Sequence, residues 1–267
     1  MSNPLILKKL SLGLNYLELL NQDGYTLVDM NMIEPFSVED KQHHPTNIIF
    51  ERNSQLFAIR SDWTRTLLNY NQAFASNVRK YGYFGPVVRE HDTFYQAGAE
   101  IFKADESDII ESLNMHLNFI KDFAEQKITT IVVNNDQLID MFISKFELDE
   151  SIKPLIYDKA VSDIEKITDS DHPLYKIMTA TVSSQLELIN DIFETTEVMT
   201  FINHFKDAAA GGETKFILDL SFRSPQSYYN GFYFQAFSNY DSPVLSGGEY
   251  NSNAFGIGLN LSDGGLL

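Results

Sequence analysis

The chain contains no cysteine, which excludes a disulfide framework and a thiol nucleophile. It is also poor in positive charge. Lys and Arg together number 20 against 37 Asp and Glu, a formal charge of −17. Such a balance argues against a nucleic-acid partner held through phosphate contacts, which requires clustered cations. The acidic residues are spread along the chain rather than gathered in a tail, and solubility suffices to explain them. No apolar run approaches the roughly 20 residues of a membrane span. The start, MSNPLILKKLSLGLNYLELL, lacks a basic segment, a long apolar core and a small-residue cleavage site, so it does not read as a signal peptide. A cytoplasmic location and no membrane partner are the expectation. The six histidines show no metal-ligand spacing, and His43-His44 adjoin Pro45 in a polar loop. Neither a metal nor a cofactor is expected.

What is present describes an ordinary globular chain of 267 residues with 43% hydrophobic content, ample for a sizeable core. Leu5 to Leu20 has helical spacing, with Leu10, Leu14 and Leu17 on one stripe and Gly24 as a C-terminal cap. Tyr25–Ile33 alternates as a strand. Ile48–Phe50 and Leu56–Ile59 are short strands about a turn at Arg52-Asn53-Ser54, and a helix opens at Asp62 and runs to about Arg79. Ser107–Gln126 is a strongly periodic helix, with His116 at the edge of the core. Lys127–Val133 is a buried-type strand. Several helices then run to Ile202, with breaks near Leu148-Asp149 and at Asp171-His172-Pro173. Ala208–Thr214 lacks the lysine of a phosphate-binding loop and reads as a turn. The last third is strand-rich: Phe216–Phe222, Tyr228–Phe237, Gly247–Tyr250 and Ala254–Leu261. Strands at both ends around a helical middle define an α+β chain with an antiparallel sheet. The helical middle, about 104–210, is either an insertion or a cover.

The stretch Tyr81–Phe102, YGYFGPVVREHDTFYQAGAEIF, concentrates polar groups on two adjacent strands joined at His91-Asp92-Thr93. Strand side chains alternate, so Gln96, Gly98 and Glu100 share one face while Ala97, Ala99 and Ile101 take the other. Gly98 leaves a gap through which a ligand could approach the backbone, and Arg89 could reach the same floor. A solvated hairpin carrying an ordinary Arg–Glu surface pair explains the same residues.

Four segments in this order, RSDWT, GPVVRE, FYQAGAEIF, and YYNGFYF with GGEY, resemble the catalytic domain of histidyl-tRNA synthetase and its paralogue, the regulatory subunit of ATP phosphoribosyltransferase. The resemblance runs from about Gly24 to Leu261 and is weak through the helical middle. It implies a class II aminoacyl-tRNA synthetase fold, an antiparallel sheet flanked by helices. It implies one domain over 1–267 with a helical insertion at about 104–210 and no anticodon-binding domain. Dimerisation would use the first motif, here GYTLVDMNMIEPF. It also implies a histidine-like pocket. Asp62 and Thr64 would meet the ligand's amino group, Gln96 would touch the amino acid, Glu100 would read the imidazole, and Tyr229 and Tyr250 would line the imidazole end. Arg89 matches an arginine that holds a phosphate in the synthetase. Core packing explains the two tyrosines equally well.

Departures from the synthetase pattern separate the two paralogues. Ser224 stands where the synthetase has an arginine, with Arg223 adjacent but on the other face of a regular strand. Leu261 replaces the third-motif arginine, Asn31 replaces a first-motif proline, and the second-motif loop is short. Adenylate chemistry needs positive groups around a triphosphate. The expectation is therefore a non-catalytic regulatory subunit. It would bind and activate the short catalytic ATP phosphoribosyltransferase in the first step of L-histidine biosynthesis, as a homodimer within a hetero-oligomer, and L-histidine is a further candidate ligand for feedback. The alternatives are a truncated amino-acid-activating enzyme of the synthetase type and a free-standing histidine-binding module.

Overall fold

The computed structural model describes residues 4–36, 48–74, 77–89, 92–209, 214–224, 226, 228–239, 241–251, 253–261 and 265–267. The His43-His44 loop, the Glu90-His91 hairpin tip and residues 210–213 of the expected turn lie outside them. The first helix, α1 (Pro4–Gln22), leads into β1 (Thr26–Leu27) and β2 (Ile33–Pro35). Gly24, at φ +79°, lets Tyr25 N–H return to Leu20 O at 3.0 Å, closing the helix as expected for a glycine cap. Next come β3 (Ile49–Arg52), β4 (Gln55–Ile59), α2 (Trp63–Phe74) and the hairpin β5 (Lys80–Arg89) and β6 (Asp92–Phe102). Then α3 (Glu106–Phe123) precedes β7 (Thr130–Asn135), and six helices follow: α4 (Asp136–Phe146), α5 (Ile152–Tyr157), α6 (Val161–Thr168), α7 (Pro173–Thr179), α8 (Val182–Phe193) and α9 (Glu197–Ala209). The chain closes with β8 (Lys215–Leu218), β9 (Tyr229–Phe237), β10 (Pro243–Tyr250) and β11 (Ala254–Leu261).

Eight strands form one sheet in the order β1-β5-β6-β11-β10-β9-β7-β8, and β2-β4-β3 form a second. The expected antiparallel sheet is in fact mixed. The six central strands pair antiparallel, but β1 joins β5 and β8 joins β7 in parallel. Both parallel partners are at an edge, reached through connections that contain helices. The middle stretch expected as an insertion or a cover contributes a sheet strand of its own, β7. Among the described residues no helix is long and apolar enough to cross a membrane.

The sheet has two unlike faces. Ala97, Ala99, Ile101, Phe255, Ile257 and Leu259 point into one large core shared with α1, α3 and the later helices. In α1 the stripe that faces this core is Leu12, Tyr16 and Leu20, not Leu10, Leu14 and Leu17. Leu10 and Leu14 remain 46% and 58% exposed. The cause is Gly13, which rests against the Phe84 ring where any side chain would collide, so the glycine side of the helix is turned to the sheet.

His116 is fully buried rather than at the core edge. Its Nδ1–H donates to Ser112 O at 2.6 Å, and Nε2 accepts from the Tyr16 hydroxyl at 2.7 Å, tying α1 to α3. Burial lowers its pKa from 6.5 to about 4. The unfolded chain therefore binds the proton more readily. Stability from this group is complete above about pH 6.5 and is lost as pH falls toward 4. Urea denaturation should show a loss on the order of 2–3 kcal/mol across that window, and a His116→Gln variant should show a flatter profile there. Identical slopes would refute the assignment.

Candidate functional site

The opposite face of the sheet is paved with glycine. Gly98 on β6 pairs with Gly258 on β11, and Gly256 and Gly248 lie directly across from one another on β11 and β10. Residues without side chains on adjacent strands make a depression, and above it lies a cavity of about 650 Å³. Helix α2 closes one end. Asp62 caps it, Oδ1 accepting from Arg65 N–H at 3.1 Å. Thr64, the second residue of α2, lines the cavity above the floor.

The structure gathers all seven residues expected for the site, in two layers. Asp62, Thr64, Arg89, Gln96 and Tyr229 line the cavity. Glu100 and Tyr250 do not line it; both are fully buried beneath it. The Glu100 carboxylate is enclosed by hydroxyl donors: Thr64 at 2.5 Å and Tyr83 at 3.3 Å on Oε1, and Tyr250 at 2.6 Å on Oε2. Gly256 makes room for it, since a methyl group there would collide with Oε2. Nor is Gly98 an open gap. The Tyr83 phenol fills the space above it. Tyr83 is held by a face-to-face stack on Trp63, with centroids 4.8 Å apart, and the Arg60 guanidinium lies 3.6 Å from the Trp63 ring.

The electrostatics follow from burial. Desolvation pushes Glu100 up from 4.5 to about 8, against the opposing hydrogen bonds from Thr64 and Tyr250. Burial also raises Asp62, opposed by the Arg89 charge. Arg89 donates Nε–H to Ser61 O at 2.9 Å and reaches Asp62 Oδ2 at 3.4 Å, with Phe94 beneath it. Tyr228, Tyr229 and Tyr250 are all raised by burial.

Two tyrosines and an amide wall were missed. Tyr228 donates to Asp62 Oδ1 at 3.2 Å. It precedes β9 by one residue, so strand alternation does not exclude it from the side that Tyr229 occupies. Tyr83 was recoverable from the hairpin register, which sets it opposite Gly98. Gln226, Gln235, Ser246 and Asn260 form the remaining wall, and strand pairing brings Asn260 beside Gln96 and Ser246 beside Gln235. Ser224 Oγ bonds Gln226 O at 2.6 Å, closing the turn that presents Gln226. Arg223 points away from the cavity, onto Asp158 and the Tyr157 ring. Leu261 is buried on the core face. Among the described residues no group of three His, Asp or Glu side chains is gathered to hold a metal ion.

This fold is that of the class II synthetase catalytic domain. It superimposes with TM-score 0.77 on a chain of the ATP phosphoribosyl transferase (HisG:HisZ) complex from Thermotoga maritima, at 19% identity, covering 96% of this chain and 98% of that one. It matches an ATP phosphoribosyltransferase regulatory subunit/histidyl-tRNA synthetase from Bacillus halodurans with TM-score 0.74, at 15% identity, covering 95% of this chain and 77% of that one. A regulatory subunit of ATP phosphoribosyltransferase from Staphylococcus epidermidis is 26% identical over 270 residues, 98% of this chain and 100% of that protein. The histidyl-tRNA synthetase family model matches residues 11–262, and the chain belongs to that family.

The two layers predict opposite responses to one methyl group. Gly258→Ala should leave stability within about 0.5 kcal/mol, because its nearest neighbour is a carbonyl oxygen 3.7 Å away. Gly98→Ala must displace the Tyr83 phenol and should cost about 1–3 kcal/mol by chemical denaturation. The buried acid gives a second signature. Folded Glu100 holds its proton up to about pH 8 whereas an unfolded one releases it near 4.5, so this group destabilises the fold as pH rises between those values. The stability of Glu100→Gln relative to wild type should therefore improve, by up to a few kcal/mol, from about pH 5 to about pH 8. A pH-independent difference would show that the carboxyl ionises normally.

Proposed function

We propose that this chain is a non-catalytic regulatory subunit of ATP phosphoribosyltransferase. It binds the short catalytic subunit and activates it in the first step of L-histidine biosynthesis, in the cytoplasm. The observation that carries this reading is the charge of the cavity in a synthetase fold. Among its described lining residues Arg89 is the one cation, and it is already engaged with Asp62. Arg223 faces outward and Leu261 belongs to the core. A triphosphate in such a cavity would meet Asp62 and Asp92 with little compensation, whereas adenylate chemistry depends on preorganised positive groups. Full-length similarity to proteins named as regulatory subunits of this transferase supports the same reading.

Self-association through the segment Gly24–Phe36 is part of the proposal. An apolar groove of about 840 Å³ runs between β2 and α2, lined by Ile33, Phe36, Tyr70 and Phe74 among others. Ile33 and Phe74 are 53% and 70% exposed, an apolar patch of the kind that marks an interface.

Two measurements test the assignment. Co-expression with a short-form ATP phosphoribosyltransferase should yield a co-purifying complex whose transferase activity depends on this chain. The isolated chain should show no histidine-dependent ATP–pyrophosphate exchange above a blank. Exchange activity would favour the truncated amino-acid-activating enzyme, and failure to co-purify would favour a free-standing binding module.

A further inference from the structure

The cavity is built for a ligand larger and less anionic than a free amino acid. Its volume of about 650 Å³ lies within the roughly 300–1,000 Å³ of pockets that enclose small organic ligands, and one amino acid fills only part of it. Its described lining carries two carboxylates, Asp62 and Asp92, and one guanidinium, Arg89, a net charge of −1. The positive charge of Arg89 is already shared between Ser61 O and Asp62. Arg223 is held outside by Asp158. Asp62 is a buried carboxylate that accepts from Arg65 N–H and the Tyr228 hydroxyl, and its one charged partner, Arg89, stands off at 3.4 Å. A ligand ammonium would offset the net negative charge of this lining, and a ligand carboxylate would add to it.

The far wall has a different chemistry. Gln96, Gln226, Gln235, Asn260 and Ser246 offer neutral donors and acceptors. Gln96 Oε1 is buried and has no hydrogen-bond partner among the described residues. An acceptor left in that state costs free energy until an N–H or O–H reaches it.

The geometry points to an amine whose carboxyl group is not free as the ligand class of this cavity: an amino-acid amide, an amino alcohol or the first residue of a peptide. The ammonium sits on Asp62, the side-chain ring lies among Tyr83, Tyr228 and Tyr229, and the neutral amide or hydroxyl end runs along the amide wall, its N–H or O–H donating to Gln96 Oε1. This rests on the histidine-like pocket of the proposed function, and it changes which chemical form that pocket takes.

Calorimetry on the purified full chain, alone and with its catalytic partner, tests it with histidine, histidinamide, histidinol, a histidyl dipeptide amide and imidazolepropionate. Histidinamide and histidinol should bind about tenfold or more tighter than histidine, because like charges brought together cost several kcal/mol. Imidazolepropionate, a carboxylate without an amine, should not bind. Asp62→Asn, which keeps a helix-capping oxygen, should remove the preference for the amines while an unchanged melting temperature reports an intact fold. A dipeptide amide binding above histidinamide would assign the amide wall to peptide, and the reverse order would assign it to a small amine; either supports the inference. Histidine binding as tightly as histidinamide would overturn it and leave the histidine pocket standing. Binding by none of the compounds would overturn both pocket readings, while co-purification with the catalytic subunit would still decide the subunit assignment separately.

Discussion

Glu100 is a carboxyl group with no exposed surface, and its neighbours are arranged so that the sheet can hold it there. Burying such a group without partners is prohibitively unfavourable. Three hydroxyls from three separate elements therefore converge on it: Thr64 from α2, Tyr83 from β5 and Tyr250 from β10. Each of those contacts also fixes a wall or floor of the cavity. Thr64 sets the pitch of α2 over the sheet. Tyr83, clamped by Trp63 and Arg60, lays its ring across Gly98. Tyr250 is reached only because Gly256 leaves space between β6 and β10 for the carboxylate. The glycines are thus less a generic floor than the clearance that one buried acid requires.

The same helix turn that shapes the cavity also borders the apolar groove. Asp62 and Thr64 look inward, while Thr66, Tyr70 and Phe74 line the groove. Thr66 donates to Glu34 of β2, whose pKa burial raises, and its hydroxyl lies 3.0 Å from Asp62 O. Arg60 fastens the segment from behind by donating to Met30 O at 2.9 Å and to Pro86 O at 3.2 Å. One turn of α2 is consequently bound to the first-motif segment on one side and to the cavity on the other. Under the proposed function, this turn is the element through which self-association and the cavity would communicate, and coupling would require it to have two arrangements that both sides bias.

Much of this was legible in the sequence because it depends on period and spacing. The Gln96-Gly98-Glu100 face, the Asp62 cap and the Gly24 helix stop are local properties of the chain. Arg223 does point away from the cavity, but not by strand alternation: β8 ends at Leu218 and β9 begins at Tyr229, so residues 223 and 224 lie in no strand, and the contacts with Asp158 and Tyr157 hold the arginine outside. What escaped depends on pairing between distant segments. Tyr83 fills the gap at Gly98 only because β5 and β6 pair in that register, and the amide wall exists only because β6, β11, β10 and β9 lie side by side. The leucine stripe of α1 was misassigned because Leu10, Leu14 and Leu17 and Leu12, Tyr16 and Leu20 are both apolar at helical spacing. Nothing in hydrophobic periodicity chooses between two such faces; the fit of Gly13 on Phe84 does.

The buried acid and the scarcity of cations in the cavity are separable features of this chain. Glu100 and its donors form one buried hydrogen-bonded unit, and removing any of the three hydroxyls leaves part of the buried carboxyl unsatisfied. The two positions at which the resemblance sets arginines hold neutral residues in this chain. Here Leu261 extends the core, and Ser224 closes a turn with Gln226, both ordinary local solutions at positions that need no charge for folding. Arg89 alone stays in the cavity, since it offsets Asp62, and Asp62 in turn caps α2. The described lining of the cavity is therefore net negative and rich in amides, the character on which the proposed regulatory role rests.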